Sequence, residues 1–234
     1  MDPLGTVLGV WAHPDDETYL SGALMARAAG AGSRVVCVTA TRGEQGSPDE
    51  TRWPPGPALA EVRTREMERA LAELGAIEHH WLDYPDGGCA DVDQGEAVGR
   101  VRAVVEEVRP DTVLTFGPDG MTGHADHRAV SRWASDAVAQ AGLGSARVHH
   151  ATNPPAWLSR FRTALDALGV YMGAEPPCTA PEDLSVYLLA EGALLDRKER
   201  AIRRQQSQVQ PLVDALGPSL FRAMLVQEAY REAR

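Results

Sequence analysis

The stretch Thr6-Val7-Leu8-Gly9-Val10-Trp11-Ala12-His13-Pro14-Asp15-Asp16-Glu17 decides the fold. Its first seven residues form a short apolar run with a proline soon after, the pattern of a buried strand. The next segment is helical: Leu20, Leu24, Met25 and Ala28 fall at helix spacing over 17–30, and Gly30 and Gly32 stop the helix. The alternation then repeats. Val35 to Thr39 is a second strand, 58–74 an amphipathic helix, His79 to Tyr84 a third strand and 95–108 a helix ended by Pro110. Val113 to Phe116 is a fourth strand, 125–140 a helix and Val148 to Thr152 a fifth strand. Strand–helix alternation predicts an α/β, Rossmann-like fold with a mostly parallel sheet flanked by helices. Ligands of such sheets sit beyond the carboxyl ends of the strands.

The rhythm changes after residue 150. Pro154-Pro155, Pro176-Pro177 and Pro181 flank a helix expected at 157–168, and a strand is expected at 184–189. Residues 192–233 read mostly as two helices broken near Pro211 and Gly217-Pro218. We therefore expect one domain over 1–234. Residues 1–150 form the α/β core with the metal site, and 151–234 form a substrate-side and C-terminal, mostly helical, mixed extension. Residues 41–57 form a long loop rich in glycine and proline, a kind of segment that often carries function.

Composition narrows the classes. The 234 residues are 44% hydrophobic, 24% charged and 6% aromatic, which excludes a disordered or fibrous chain. The formal net charge of −10 disfavours a nucleic-acid or anionic-membrane binder, which needs a basic footprint. Cys37, Cys89 and Cys178 are scattered, which argues against a disulfide framework or thiolate zinc site and for a reducing cytoplasm. Met1-Asp2-Pro3 offers no basic start for a signal peptide, and no run of about 18 apolar residues exists to span a membrane. Nothing in the sequence specifies an oligomeric state.

Two polar clusters come directly after strands: His13-Pro14-Asp15-Asp16-Glu17 after the first, and His124-Ala125-Asp126-His127 after the fourth and a glycine-rich loop. If those strands are neighbours, both clusters lie at one rim. Two imidazoles and a carboxylate with an open position are a common catalytic zinc arrangement, and Fe2+ or other divalent ions also fit such N/O donors. His13 and Asp16 can curl around one ion at a strand-to-helix turn, with His127 as third ligand. A water on that ion becomes a usable nucleophile. Asp15 is left to take its proton, and His124 to hold the oxyanion or protonate the leaving nitrogen. Asp126 can orient a histidine. The simpler alternative is that Asp15, Asp16 and Glu17 only cap a helix.

The motifs AHPDDE (Ala12 to Glu17) and GHADHR (Gly123 to Arg128) resemble the signatures of the PIG-L/LmbE-like N-deacetylases. Arg63-Thr64-Arg65-Glu66, Tyr84-Pro85-Asp86-Gly87 and Lys198 to Gln208 resemble further segments of that family. The resemblance implies a zinc-dependent enzyme that removes acetyl from N-acetylglucosamine-containing small glycoconjugates. It implies His13, Asp16 and His127 as metal ligands, Asp15 as general base, and His124, tuned by Asp126, as acid or oxyanion stabiliser. It further suggests that Arg63 and Asp86 contact substrate. The simpler readings are that Arg63 pairs with Glu66 and that Asp86-Gly87 makes a turn.

Three departures from the family pattern stand out: Ala125 in place of proline, Thr122 in place of a tyrosine, and Gln205 or Gln206 in place of a histidine before Ser207. Alternative readings are an amidase of the same fold acting on a thiol conjugate or natural-product glycoside, or a silent metal-binding regulatory protein. The pairs His79-His80 and His149-His150 sit in strands, where neighbours point to opposite faces, so neither pair chelates one ion easily. Trp53 is either a sugar-stacking residue or a loop anchor.

Overall fold

The computed structural model describes residues 4–75 and 77–233, so the expectation attached to Met1-Asp2-Pro3 lies outside the described residues. The chain runs β1 (Val7–Trp11), α1 (Asp16–Gly30), β2 (Val35–Thr41), α2 (Pro57–Leu74), β3 (Glu78–Tyr84), α3 (Gln94–Val108), β4 (Thr112–Phe116), α4 (Gly120–Gly123), α5 (Ala125–Ala141) and β5 (Arg147–Ala151). It continues as α6 (Pro155–Ala167), β6 (Val186–Leu189), α7 (Gly192–Arg203), α8 (Gln206–Leu216), α9 (Pro218–Met224) and β7 (Gln227–Glu232).

The strands form one sheet in the order β3-β2-β1-β4-β5-β7-β6. The first five are parallel; β7 pairs antiparallel with both β5 and β6. Helices cover both faces of the central strands, so every residue of β1, β2 and β4 is buried. Parallel strands covered in this way read as continuous apolar runs, which is why they are visible in the sequence. Chain order reverses between β1 and β4. Their carboxyl ends open the crevice where such sheets bind ligands.

The extension differs from expectation in two places. The helical break falls at Arg204-Gln205, not at Pro211, which lies inside α8. A mid-helix proline costs about 3 kcal/mol. Here α8 persists because Val209 and Val213 are buried, and because its start is pinned: Ser207 donates from N and Oγ to Glu66. The second difference is β7, expected as helix. Its pairing partner β5 lies some 80 positions earlier (Ala151 pairs with Tyr230), and local pattern carries no trace of such a partner.

Glu228 of β7 is fully buried. It accepts hydrogen bonds from Ala23 N and Leu24 N of α1, at 2.7 and 2.8 Å, and pairs with the buried Lys198 of α7 at 2.8 Å. Tyr230 Oη donates to Leu20 O at 2.8 Å. These bonds fasten the extension to the helix that begins at the first motif.

Candidate active site

The turn after β1 is unusual. Asp15 has φ 114° and ψ −32°, a conformation that strains an L-residue by about 1–3 kcal/mol and needs support from its surroundings. The support is visible. Asp15 N donates to Glu17 Oε2 at 2.9 Å, and Gln205 Nε2 donates to Glu17 Oε1 at 2.8 Å. Arg63 of α2 donates to Pro14 O at 2.6 Å and lies 3.4 Å from Asp15 Oδ2. The same guanidinium donates to Gly43 O at 2.8 Å and Gly46 O at 3.3 Å. At Gly43 (φ 67°) a Cβ would meet the Arg63 guanidinium at 2.4 Å, so the loop needs glycine there.

The two motifs meet across the β1–β4 crevice. His13 Nδ1 lies 3.1 Å from His127 Nε2. Asp16 Oδ1 is 3.5 Å from His127 Nε2, and Asp16 Oδ2 is 3.7 Å from His13 Nδ1. Hydrogen bonding fixes which nitrogens carry protons. His127 Nδ1 donates to Gly120 O at 2.9 Å, leaving Nε2 a lone pair. His13 Nε2 faces Asp86 Oδ1 at 3.1 Å and Asp126 Oδ2 at 3.2 Å, so it is a donor, and Nδ1 is the nitrogen that a proton or a metal ion would occupy. His127 Nε2, His13 Nδ1 and the Asp16 carboxylate therefore converge on one point. Donors about 2.0–2.1 Å from a tetrahedral zinc stand about 3.3 Å apart, which matches these separations.

One donor each from His13, His124 and His127 also lies within 4.8 Å of the others, as does one each from His13, Asp86 and Asp126. The second of these sets already satisfies itself. Asp126 accepts from Gly87 N at 2.7 Å and Cys89 N at 3.0 Å, and Asp86 accepts from Gln45 N at 2.8 Å. Both carboxylates thus orient His13.

The electrostatics favour a cation. Burial opposes charge on His13, but the hydrogen bonds to Asp126 and Asp86 and the charge of Asp16 outweigh it, and the imidazole is pushed up to about 10. Burial, partly offset by Asp16, brings His127 down to about 4. Burial pushes Asp15 up to about 7 against the pull of Arg63. Burial, then the charge of Asp15, pushes Glu17 up to about 8. Burial and His13 hold His124 below its ordinary value. His124 Nδ1 accepts from Asp126 N at 3.1 Å, capping α5, so the neutral ring carries its proton on Nε2.

A cavity of about 890 Å³ opens over this centre, lined among others by His13, Asp15, Asp16, Arg63, His124 and His127. Thr122 lines it too, with Oγ1 3.2 Å from His127 Nδ1. The long loop contributes Gln45 to Pro48, and Arg52 stacks over Trp53 at 5.1 Å. His79 pairs with Thr39 and His149 with Ser185, so these strand histidines serve packing. The buried Glu17–Gln205 link behind Asp15 has no counterpart in the sequence reading; its signal is the glutamate that ends the first motif.

Fold and site together define a class: α/β enzymes that keep a histidine–carboxylate donor set and a spare carboxylate at the switch point of the sheet. Within that class, residues 8–138 match PIG-L, GlcNAc-PI de-N-acetylase, and the chain belongs to this family. It is 33% identical to a 1D-myo-inositol 2-acetamido-2-deoxy-alpha-D-glucopyranoside deacetylase of Kineococcus radiotolerans, over 94% of this chain and 73% of that one. The N,N'-diacetylchitobiose deacetylase of Pyrococcus horikoshii superposes with a TM-score of 0.65 at 21% identity, covering 100% of this chain and 86% of that one. A zinc-inhibited form of teicoplanin deacetylase gives 0.65 at 19%, covering 97% of each chain. The two solved structures speak for the fold; the family makes the chain a deacetylase. Among the described residues no helix is long and apolar enough to cross a membrane.

Proposed function

We propose that the protein hydrolyses the acetamide of an N-acetylglucosamine-containing small glycoconjugate, releasing acetate and the free amine. We further propose zinc as its metal, with Fe2+ as the other candidate, held by His13 Nδ1, His127 Nε2 and Asp16. The observation that carries this reading is that His13 Nδ1 and His127 Nε2 stand 3.1 Å apart beside the Asp16 carboxylate, a donor set in surroundings negative enough to favour either a proton on His13 or a divalent cation in its place. When bound, a divalent ion supplies Lewis-acid polarisation of a carbonyl and lowers the pKa of water toward about 7.

The remaining work falls to side chains. Asp15 Oδ1, free of the Arg63 contact, takes the proton of the attacking water and returns it to the departing nitrogen. With its pKa pushed up to about 7, Asp15 is suited to both tasks near neutrality. His124 is neutral at that pH, and its Nε2–H donates to the developing oxyanion. Of the two roles open to it, oxyanion stabiliser fits the lowered pKa better than acid. Asp126 and Asp86 hold His13 in the tautomer that leaves Nδ1 free. Arg63 is only 3% exposed, so its effect on substrate runs chiefly through Asp15 and the 43–46 loop it holds. A cytoplasmic location is part of the same proposal, supported by three free cysteines.

The test is acetate release from a panel of N-acetylglucosamine conjugates, with chelator and with zinc or iron restored. Chelator-sensitive, metal-restored release supports the reading. No release from any member under any metal overturns it.

A further inference from the structure

The peptide unit between Pro14 and Asp15 is gripped from both sides by buried side chains. Its carbonyl accepts from Arg63 Nη2 at 2.6 Å, and its N–H donates to Glu17 Oε2 at 2.9 Å. Glu17 is fully buried behind Asp15, outside the cavity lining. Its other oxygen, Oε1, accepts from the buried Gln205 Nε2 at 2.8 Å. Beyond Asp15 the chain is equally bound: Asp15 O accepts from Thr18 N and Tyr19 N at 3.0 Å each and from Thr18 Oγ1 at 2.8 Å. The φ of 114° at Asp15 is therefore held between two fixed peptide units.

That angle is the joint between the strand end that carries His13 and the helix that carries Asp16. An L-residue at such a φ gains by rotating back toward negative values, and only its surroundings prevent it. The rotation turns the Asp15 carboxylate relative to His13. Asp16 has a tie of its own to the strand end, since its Oδ2 accepts from His13 N at 2.8 Å. A loosened joint thus disturbs Asp15 before it disturbs the donor set. We propose that Glu17 is a positioning residue for the general base: by accepting the Asp15 N–H it keeps the Asp15 carboxylate in the orientation that proton transfer requires. Gln205 keeps Glu17 in place from the extension. The role calls for an acceptor at Oε2 rather than a charge. It rests on the deacetylase reading with Asp15 as its base; a glutamate that only favoured the start of α1 would contribute to stability alone.

The experiment uses the metal-loaded full chain and the N-acetylglucosamine conjugate that gives the fastest acetate release, well below the melting temperature of every variant. Glu17→Met keeps length and removes both acceptors. It should lower kcat by about 10- to 10²-fold, the scale of a misplaced reacting group, with KM and bound metal near the parent values. Glu17→Gln should recover most of that loss: the amide oxygen accepts from Asp15 N, and the amide nitrogen finds Gln205 Oε1, which has no partner among the described residues. The decisive readout is the Asp15→Asn background, where no base is left to position. There the factor lost in Glu17→Met should collapse toward one. Gln205→Met only loosens Glu17; its smaller loss of kcat should vanish in the same background, and it carries the test if Glu17→Met folds poorly. A factor undiminished in Asp15→Asn, a fall in melting temperature with kcat unchanged, a kcat loss matched by loss of metal, or Glu17→Gln as slow as Glu17→Met overturns the proposal. Absence of acetate release by the parent from every conjugate is a different failure, that of the deacetylase reading itself.

Discussion

Residues up to Ala151 and residues beyond it divide the work unequally. The first part supplies every side chain of the donor set, the spare Asp15 and His124, all within two turns at the ends of β1 and β4. The second part supplies no donor to the set. It supplies the apolar wall of the cavity and the props behind the site: Gln205 on Glu17, Ser207 on Glu66 and Glu228 on α1. The donor set sits on a parallel sheet whose register is fixed by burial on both faces, while support and part of the cavity's apolar lining sit on the later segment. Substitutions of the donor set, Asp15 or His124 should therefore act on turnover at nearly constant stability, and those in the second part chiefly on stability.

The largest expected effect is at Asp15. Asp15→Asn keeps shape and removes the base, so turnover should fall by about 10²- to 10⁴-fold with metal content unchanged. Asp16→Asn should instead lose metal, with partial rescue by excess metal. Loss of metal in Asp15→Asn, measured by elemental analysis, would make Asp15 a ligand. Because the base must be ionised, the rate of the parent enzyme should rise with pH through a midpoint at or below pH 7. That limb should vanish in Asp15→Asn.

Next come the props. Glu228→Leu strands the buried Lys198 and two N–H groups of α1, and breaking such a pair costs about 3–5 kcal/mol. Lys198→Met leaves Glu228 its two backbone donors and should cost less. Denaturant melts of both variants check the order; equal costs would mean the backbone bonds contribute nothing. Arg63→Ala tests whether the two regions separate cleanly. It should lower both melting temperature and kcat while KM for the glycoconjugate stays near the parent value. A rise in KM alone would make Arg63 a direct substrate contact.

The smallest effect lies far from the site. Burial, then the charges of His80 and Arg42, pushes His79 down to about 4. Its unfolded pKa is about 6.5, so the unfolded chain binds the extra proton between those values. Stability from this group is present above pH 6.5 and lost as pH falls toward 4. His79→Gln should flatten the melting temperature over that window without changing the pH–rate profile.

The parallel core is legible because β1, β2 and β4 are mostly apolar and β-branched, and the glycines and prolines between them punctuate the chain. The centre is legible because each half is contiguous: His13 with Asp15 and Asp16, His124 with Asp126 and His127. The features that escape a reading of the sequence depend on partners distant along the chain. Gln227 to Glu232 has no local strand signal, and its place between β5 and β6 is set by pairing. Pro211 reads as a breaker, yet the break is set by Gln205 reaching Glu17. Asp86 reads as a substrate contact or turn residue, and its grip on His13 appears only once the 85–89 loop folds over the crevice.

The central claim is that His13, His127 and Asp16 form a cation site on which amide hydrolysis depends. The most direct measurement strips the full chain with chelator and follows acetate release while zinc or iron is added back stepwise, with bound metal counted in parallel. The account predicts silence in the stripped protein and recovery that saturates near one ion per chain, with His127→Ala failing to recover at the same metal concentration. Acetate release from thoroughly stripped protein, or full metal-dependent recovery in His127→Ala, would contradict it.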